Sequence, residues 1–196
     1  MEKLAPIGGL VVSQRKEWGE ILTGLEAKNR YAVSDLSGDP VYLAAEQPGS
    51  ILLRWFLKAL RPFTILVSDQ DGQPVLRIKR SFRFYFHRVD ILDTQGRCLG
   101  CVERRFSVLR RNYSVTGSSG EELFEILGPL LHPWTFQIKQ DGSECGKITK
   151  RWSGLLTEGF TDADNFGVTF PVEWNAATKA VALGAVFLID FVQFDR

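Results

Sequence analysis

The chain has 196 residues, with 24 Lys+Arg against 23 Asp+Glu and a formal net charge of +1. Bulk electrostatics therefore point to neither nucleic acid nor an anionic membrane, and any basic surface must be local. Hydrophobic residues make up 44%, which excludes a disordered or polytopic chain and suffices for one domain, residues 1–196, with a sizeable core.

Read from the start, Met1 to Trp18 lacks a charged segment followed by an apolar one, so no secretory signal is expected. Met1-Glu2 also lacks the glycine that N-myristoylation requires. The three cysteines, Cys98, Cys101 and Cys145, are few and odd in number, which fits a reducing compartment. The expectation is a protein of the cytoplasm or of the cytosolic face of a membrane, not a secreted one.

Short strand-like runs then alternate with glycine turns. Tyr31–Ser34 and Val41–Ala44 flank Ser37-Gly38-Asp39-Pro40. Pro48–Leu60 is apolar apart from Arg54 and Lys58 and reads as a connection with a short amphipathic helix. Phe63–Val67 and Val75–Ile78 flank Gln70-Asp71-Gly72-Gln73. Ser81–Arg88 alternates aromatic and basic residues, with Phe82, Phe84 and Phe86 on one face. Val89–Leu92 and Cys98–Val102 flank Thr94-Gln95-Gly96-Arg97. Phe106–Val115 and Leu123–Leu127 flank Ser118-Ser119-Gly120. Trp134–Ile138 and Gly146–Thr149 flank Gln140-Asp141-Gly142-Ser143. Five successive hairpins predict an antiparallel meander.

The last stretch, Asn175–Phe194, is uncharged from Ala180 to Ile189. A membrane span needs about 20 apolar residues, and Asp190 interrupts this run, so it reads as a core helix wrapped on all sides. A large antiparallel sheet disposes of its edges by closing. A barrel of roughly a dozen strands is too wide for its own side chains to fill. The predicted fold is therefore mostly β: a closed antiparallel barrel of about 12 strands around a central hydrophobic C-terminal α-helix.

Few residues carry chemistry. Cys98 and Cys101 stand three apart on a strand and so face opposite sides, which makes them structural thiols rather than a metal pair. His87 and His132 are the only histidines. There is no Gly-x-Ser-x-Gly elbow and no phosphate-binding glycine loop, so neither hydrolytic nor nucleotide chemistry is expected.

Several stretches resemble the phospholipid scramblase family. They are Leu22–Glu26 with Asn29–Tyr31, Val41–Glu46, Arg61–Thr64, Gly146–Gly154 (GKITKRWSG), Phe160–Gly167 (FTDADNFG), Phe170-Pro171 and Gly184–Phe191 (GAVFLIDF). They run in order over nearly the whole chain. The resemblance implies a Tubby-like fold and calcium-dependent, ATP-independent movement of phospholipids between leaflets, with no covalent step and hence no enzyme in the bond-making sense. Two family features are missing: the proline-rich N-terminal region, and the palmitoylated cysteine clusters, for which Gln47–Leu60 and Ser81–His87 stand in without a cysteine. Trp55, Phe56, Phe82, Phe84 and Phe86, beside basic residues, are candidates for a noncovalent membrane anchor; the other reading places these aromatics in the barrel core.

The resemblance also implies sites. Asp162–Glu173 matches the family's calcium segment, with Asp162, Asp164 and Glu173 as candidate ligands and Asn165 as a fourth. Three carboxylates imply affinity toward the millimolar end. The other reading is a turn with Phe166 and Phe170 in the core. Lys147, Lys150, Arg151 and Trp152 resemble an importin-binding signal; the other reading is a strand end. Arg104, Arg105, Arg110 and Arg111, with Lys147, Lys150 and Arg151, form a candidate surface for anionic lipid headgroups. Phospholipids or a membrane surface are the expected partners, other proteins the second class, and no nucleic acid. Two further functions stay open: a peripheral Tubby-type module that binds phosphoinositides, anionic lipids or proteins without scrambling, and a soluble structural or signalling protein.

Overall fold

The computed structural model describes residues 1–15, 29–47, 62–82, 87–107, 110–129, 131, 134–150 and 165–194. Twelve strands follow in order: β1 (Gly9–Arg15), β2 (Arg30–Asp35), β3 (Pro40–Glu46), β4 (Phe63–Ser68), β5 (Pro74–Arg80), β6 (Arg88–Asp93), β7 (Cys98–Arg105), β8 (Arg110–Gly117), β9 (Glu122–Pro129), β10 (Thr135–Gln140), β11 (Ser143–Lys150) and β12 (Asn165–Thr169). Each pairs antiparallel with the next, and β1 closes the barrel against β12 through Gly9↔Thr169 to Ser13↔Asn165. The helix α1 (Ala176–Gln193) runs through the lumen. This is the closed, helix-filled barrel expected, and all five predicted hairpins are present.

The hairpins share a local device. Asp35 and Asp93 end β2 and β6 and Asp69 directly follows β4, and each Oδ1 accepts two backbone N–H groups, two and four residues on, at 2.8–3.0 Å. Three residues after each aspartate stands a glycine with positive φ, for example Gly72 at 77° and Gly96 at 82°. That left-handed position costs a side-chain-bearing residue energy and glycine none.

Strand alternation then sends one face inward. In β6 the pattern places Val89 and Ile91 in the core, and in β9 Phe124 and Ile126. Along α1, every residue from Lys179 to Ile189 is buried. Helix and wall leave no room for a further side chain at two glycines. A Cβ on Gly184 would stand 2.6 Å from Ile91, and one on Gly100 would stand 2.8 Å from Val181.

Both helix ends are fixed. Asn175 caps the first turn, its Oδ1 accepting Thr178 N–H at 2.8 Å. Phe187 meets Tyr31 edge-on at 5.1 Å, and Phe191 stacks on Phe63 at 4.2 Å. Among the described residues α1 is the one helix long and apolar enough to cross a membrane, but its faces are spent on the barrel. Val181, Leu183, Val186, Phe187, Leu188, Ile189 and Phe191 are all buried. At about 1.5–3 kcal/mol each, their burial is of the same order as the whole net stability of a typical domain, about 5–15 kcal/mol, or larger.

Lys179 is the one charged residue in the buried run of α1 from Lys179 to Ile189. Its side chain is fully buried in the first turn of α1, at the positive end of the helix dipole. The ammonium donates to the carbonyl oxygens of Ala5 at 2.6 Å and Val172 at 2.7 Å. Burial pushes its pKa down, and Glu173 pulls it back up. Lys179 thereby ties the N-terminal segment to the connection that leads into the helix. Lys179→Met keeps the stem but leaves two carbonyls without this donor, at roughly 1–3 kcal/mol each. The expected loss is about 2–4 kcal/mol in denaturant unfolding; an unchanged midpoint would contradict the tie.

Candidate functional site

Because strands alternate in direction, the barrel has two unlike ends. At the turn end sit the five tight hairpins, the start of β1 and the start of α1. At the other end, the rim, sit the C-terminus of α1 and the connections between β1 and β2, β3 and β4, β5 and β6, β7 and β8, β9 and β10, and β11 and β12. The turn chemistry needs aspartate, so the turn end is acidic: Asp35, Asp39, Asp69, Asp71, Asp93 and Asp141 lie there, with Glu121, Glu122 and Glu173. Its bases are Lys3, Lys139 and Arg97, the last tied to Asp93 at 2.6 Å.

Among the described residues the strand termini at the rim are mostly basic, with Glu46 at the end of β3 the acid among them. Arg30, Arg80, Arg88, Arg104, Arg105, Arg110, Arg111 and Lys150 all stand at strand termini on this end. It is also where apolar side chains are left in solvent. Phe82, Phe106, Leu131 and Trp134 are exposed here, Phe106 at 82% and Leu131 at 90%; Val172 is the one exposed large apolar residue described at the turn end. Scattered single apolar residues are ordinary on a surface. Four at one end of a barrel, interleaved with arginines, are suited to a surface that is anionic and apolar at once.

Alternation splits the rim cations into two sets. Tyr113 faces the lumen, so Arg111 does too, and so does Arg104, whose strand neighbour is Tyr113. Arg105 and Arg110 face outward and are exposed, with Arg105 Nη2 reaching Ser114 Oγ at 3.5 Å. Lys150 turns inward over the Phe194 ring at 4.2 Å, whereas Lys147 is exposed on the outer wall. Strands β9 and β10 separate the lysines of β11 from the arginines of β7 and β8. The seven-residue basic surface expected from the sequence is thus an inner set and an outer set, with Arg151 outside the described residues.

The inner set includes two residues that the sequence reading passed over as site residues. Arg80 is only 3% exposed, and its Nη2 donates to His87 Nδ1 at 2.5 Å. The Arg104 backbone N–H donates to the His87 carbonyl at 2.8 Å. Burial, then the charges of Arg80 and Arg104, push the His87 pKa from its ordinary 6.5 down to about 4. Burial also lowers the pKa of Arg111, with Arg104 adding to the effect and Tyr113 opposing it. The signal available in the sequence was the basic residue closing β5 and the histidine opening the next strand; their convergence required the register.

A profile of the Scramblase family matches residues 1–196. The chain belongs to the scramblase family. It is 34% identical to phospholipid scramblase 1 of Mus musculus and of Homo sapiens, over all of this chain and 64% and 65% of those proteins. It is 32% identical to phospholipid scramblase 2 of Bos taurus, over all of this chain and 71% of the relative. The chain thus spans just under two thirds of the scramblase 1 relatives. An X-ray structure of a protein from Arabidopsis thaliana shares the fold, with a TM-score of 0.52 at 13% identity, over 96% of this chain and 94% of that one.

In this scramblase-family chain two of the candidate calcium ligands stand apart. Asn165 is buried where β12 begins at the rim. Glu173 is exposed beyond the far end of β12. From Asn165 to Thr169 the strand alone rises roughly 13 Å at ~3.3 Å per residue, whereas ligands of one calcium stand about 2.3–2.6 Å from it, as is usual for this ion. Glu173 and Asn165 therefore do not share an ion. Phe166 and Phe170 are in the core. Asp162, Asp164, Trp152, Trp55, Phe56, Phe84 and Phe86 lie outside the described residues, and among the described residues no three His, Cys, Asp or Glu cluster as metal ligands. Phe82 is exposed at the rim, not in the core.

The His87 geometry generates a pH prediction. Its folded pKa is depressed, so the unfolded chain binds a proton first as pH falls, and stability is lost from about pH 6.5 down toward pH 4. The melting temperature is expected to fall between pH 7 and pH 5, and His87→Gln to flatten much of that fall. An equal fall in both proteins would contradict this placement of His87.

Proposed function

We propose that this chain acts on phospholipids at a membrane surface, docking through the rim, and that from the docked position it promotes calcium-dependent, ATP-independent movement of phospholipids between leaflets. The observation that carries the docking is the coincidence of Phe82, Phe106, Leu131 and Trp134 with the outward Arg105 and Arg110 at one end of the barrel, opposite an acidic end. Each basic residue near an anionic surface contributes about 1 kcal/mol, and the exposed apolar side chains reach the headgroup–acyl boundary. The connections bearing Trp55, Phe56, Phe84 and Phe86 leave the strands at this same end and extend the anchor. Lipid movement makes and breaks no bond, so no catalytic residue is assigned. Calcium enters through Asp162 and Asp164, which precede β12 at the rim, and without Glu173. The family membership and the named relatives support the lipid-moving step.

A second reading has its own observation. A polar path for headgroups must cross the hydrocarbon, and α1 is occupied inside the barrel, which favours a peripheral lipid-binding module without transbilayer movement.

Purified full-length chain is to be added, with and without calcium, to vesicles of phosphatidylcholine with phosphatidylserine that carry a fluorescent lipid quenched by dithionite. Co-sedimentation with calcium-stimulated exposure of the inner-leaflet probe is expected, reduced several-fold by Arg105→Gln/Arg110→Gln and made calcium-insensitive by Asp162→Ala/Asp164→Ala but not by Glu173→Ala. Co-sedimentation without probe exposure supports the second reading. No co-sedimentation contradicts docking through the rim.

A further inference from the structure

At the turn end, every connection lies within the described residues: residues 1–8, the five hairpins and residues 170–175. Two of these segments meet over the start of α1. The Lys179 ammonium donates to the carbonyl oxygens of Ala5 at 2.6 Å and Val172 at 2.7 Å, so the two backbones lie side by side with those oxygens turned inward. The Phe170 N–H donates to the Gly8 carbonyl at 3.0 Å, a second tie between the same segments. Leu4 is fully buried, and the buried Trp174 stacks on Phe124 at 4.6 Å. What is left for solvent is Ala5 and Pro6, both exposed, and Val172, exposed at 57%. Val172 also covers Gly8, where a Cβ would stand 3.0 Å from its Cγ2. Leu36 covers Gly9 in the same way, its Cδ1 lying 2.9 Å from a Cβ placed there. Pro6, Val172 and Leu36 thus form one apolar ridge across the start of β1.

Acids frame the ridge. Glu173 follows Val172, Glu2 stands in the turn before Ala5, and Asp35 and Asp39 flank the hairpin that bears Leu36. Lys3 is the one exposed base in these segments. The ion pairs Arg88–Asp90 and Arg97–Asp93 involve none of the four acids. Such a frame repels phosphate, so neither a nucleic acid nor an anionic membrane suits it, and it attracts cations. A bare metal ion or polyamine gains nothing from Val172 or Pro6. Both features are met at once by a protein segment that carries Lys or Arg on either side of an apolar side chain. Lys179 holds the two segments of the ridge together beforehand, so little freedom is lost when a partner lands on it.

We propose that this ridge is a docking surface for a basic segment of a partner protein, with an apolar side chain seated against Val172 and Pro6 and flanking Lys or Arg side chains on Glu2, Asp39 and Glu173. The ridge lies at the opposite end of the barrel from the rim, so its occupancy neither needs nor blocks a membrane there. The proposal does not rest on the membrane reading. A barrel docked by its rim presents the ridge to the aqueous phase.

The full chain, isotope-labelled for NMR, is titrated with two synthetic peptides of equal charge. One has Lys residues flanking a central pair of Leu, and the other has Ser in place of each Leu. The Leu peptide is expected to shift the amide signals of Ala5, Ile7, Val172 and Glu173 and to bind several-fold more tightly than the Ser peptide. Val172→Ser is expected to abolish that preference. Asp39→Asn/Glu173→Gln is expected to weaken both peptides several-fold, and Arg105→Gln/Arg110→Gln to change neither. Added salt weakens what remains of the charge attraction. All the substituted side chains are exposed, and an unchanged melting temperature verifies that each variant keeps the fold. No binding of the Leu peptide overturns the proposal. So does equal binding of the two peptides, or a set of shifts spread over the acidic hairpins that leaves the ridge unmoved, because either reduces this end to diffuse charge attraction. Concentration-dependent self-association in sedimentation, lost in Val172→Ser, gives the ridge to a second copy of this chain and overturns the choice of partner.

Discussion

Twelve strands closed on themselves leave a lumen that their own side chains do not fill, and α1 fills it. Everything else in the structure follows from that occupancy. Gly100 and Gly184 are where wall and helix touch without room for a side chain. Lys179 and Asn175 hold the point of entry, and Phe191 and Phe194 close the exit against Phe63 and Trp134. Taking the helix out would expose both its own apolar surface and the inner wall. Lipid could shelter the first, but water would meet the second, so the barrel and its helix act as one body.

The division of charge between the ends has a local origin. Three of the five tight hairpins are built on aspartates that accept backbone N–H groups, and all five hairpins fall at one end. The helix exit adds negative dipole to the other end, where arginines at strand termini complement it. A near-neutral chain thereby becomes a barrel with an acidic end and a basic, partly apolar one. That asymmetry would give the barrel, docked as proposed, a defined orientation at a membrane surface.

Much of the fold was legible. Glycine turns spaced between β-rich runs announced the hairpins, and the uncharged stretch before Asp190 announced the buried helix; Asp190 indeed sits near its end. The site was legible only in part. Arg104, Arg105, Arg110 and Arg111 read as one basic patch, because sequence adjacency hides the alternation that turns two inward and two outward. Arg80 and His87 were invisible as partners, since they meet only through the β5–β6 register and the closure of the wall. The twelve-residue calcium pattern of Asp162 to Glu173 failed to foresee that β12 straightens its middle. Lys179 carried no signal in the sequence, because its partners are backbone carbonyls that no sequence pattern displays.

The claim on which the account depends is that the protein works with its helix inside the barrel. The Ile91 side chain stands 2.6 Å from a notional Cβ on Gly184, so Ile91→Cys and Gly184→Cys, in a chain whose three native cysteines are replaced, set two thiols against each other, and the disulfide between them is confirmed by mass spectrometry before use. Vesicle binding and lipid-probe exposure are then measured in the oxidised and the reduced protein. Equal activity in the two states is the predicted result. Activity that vanishes on oxidation and returns on reduction would show that the helix must leave the barrel, and would contradict the account.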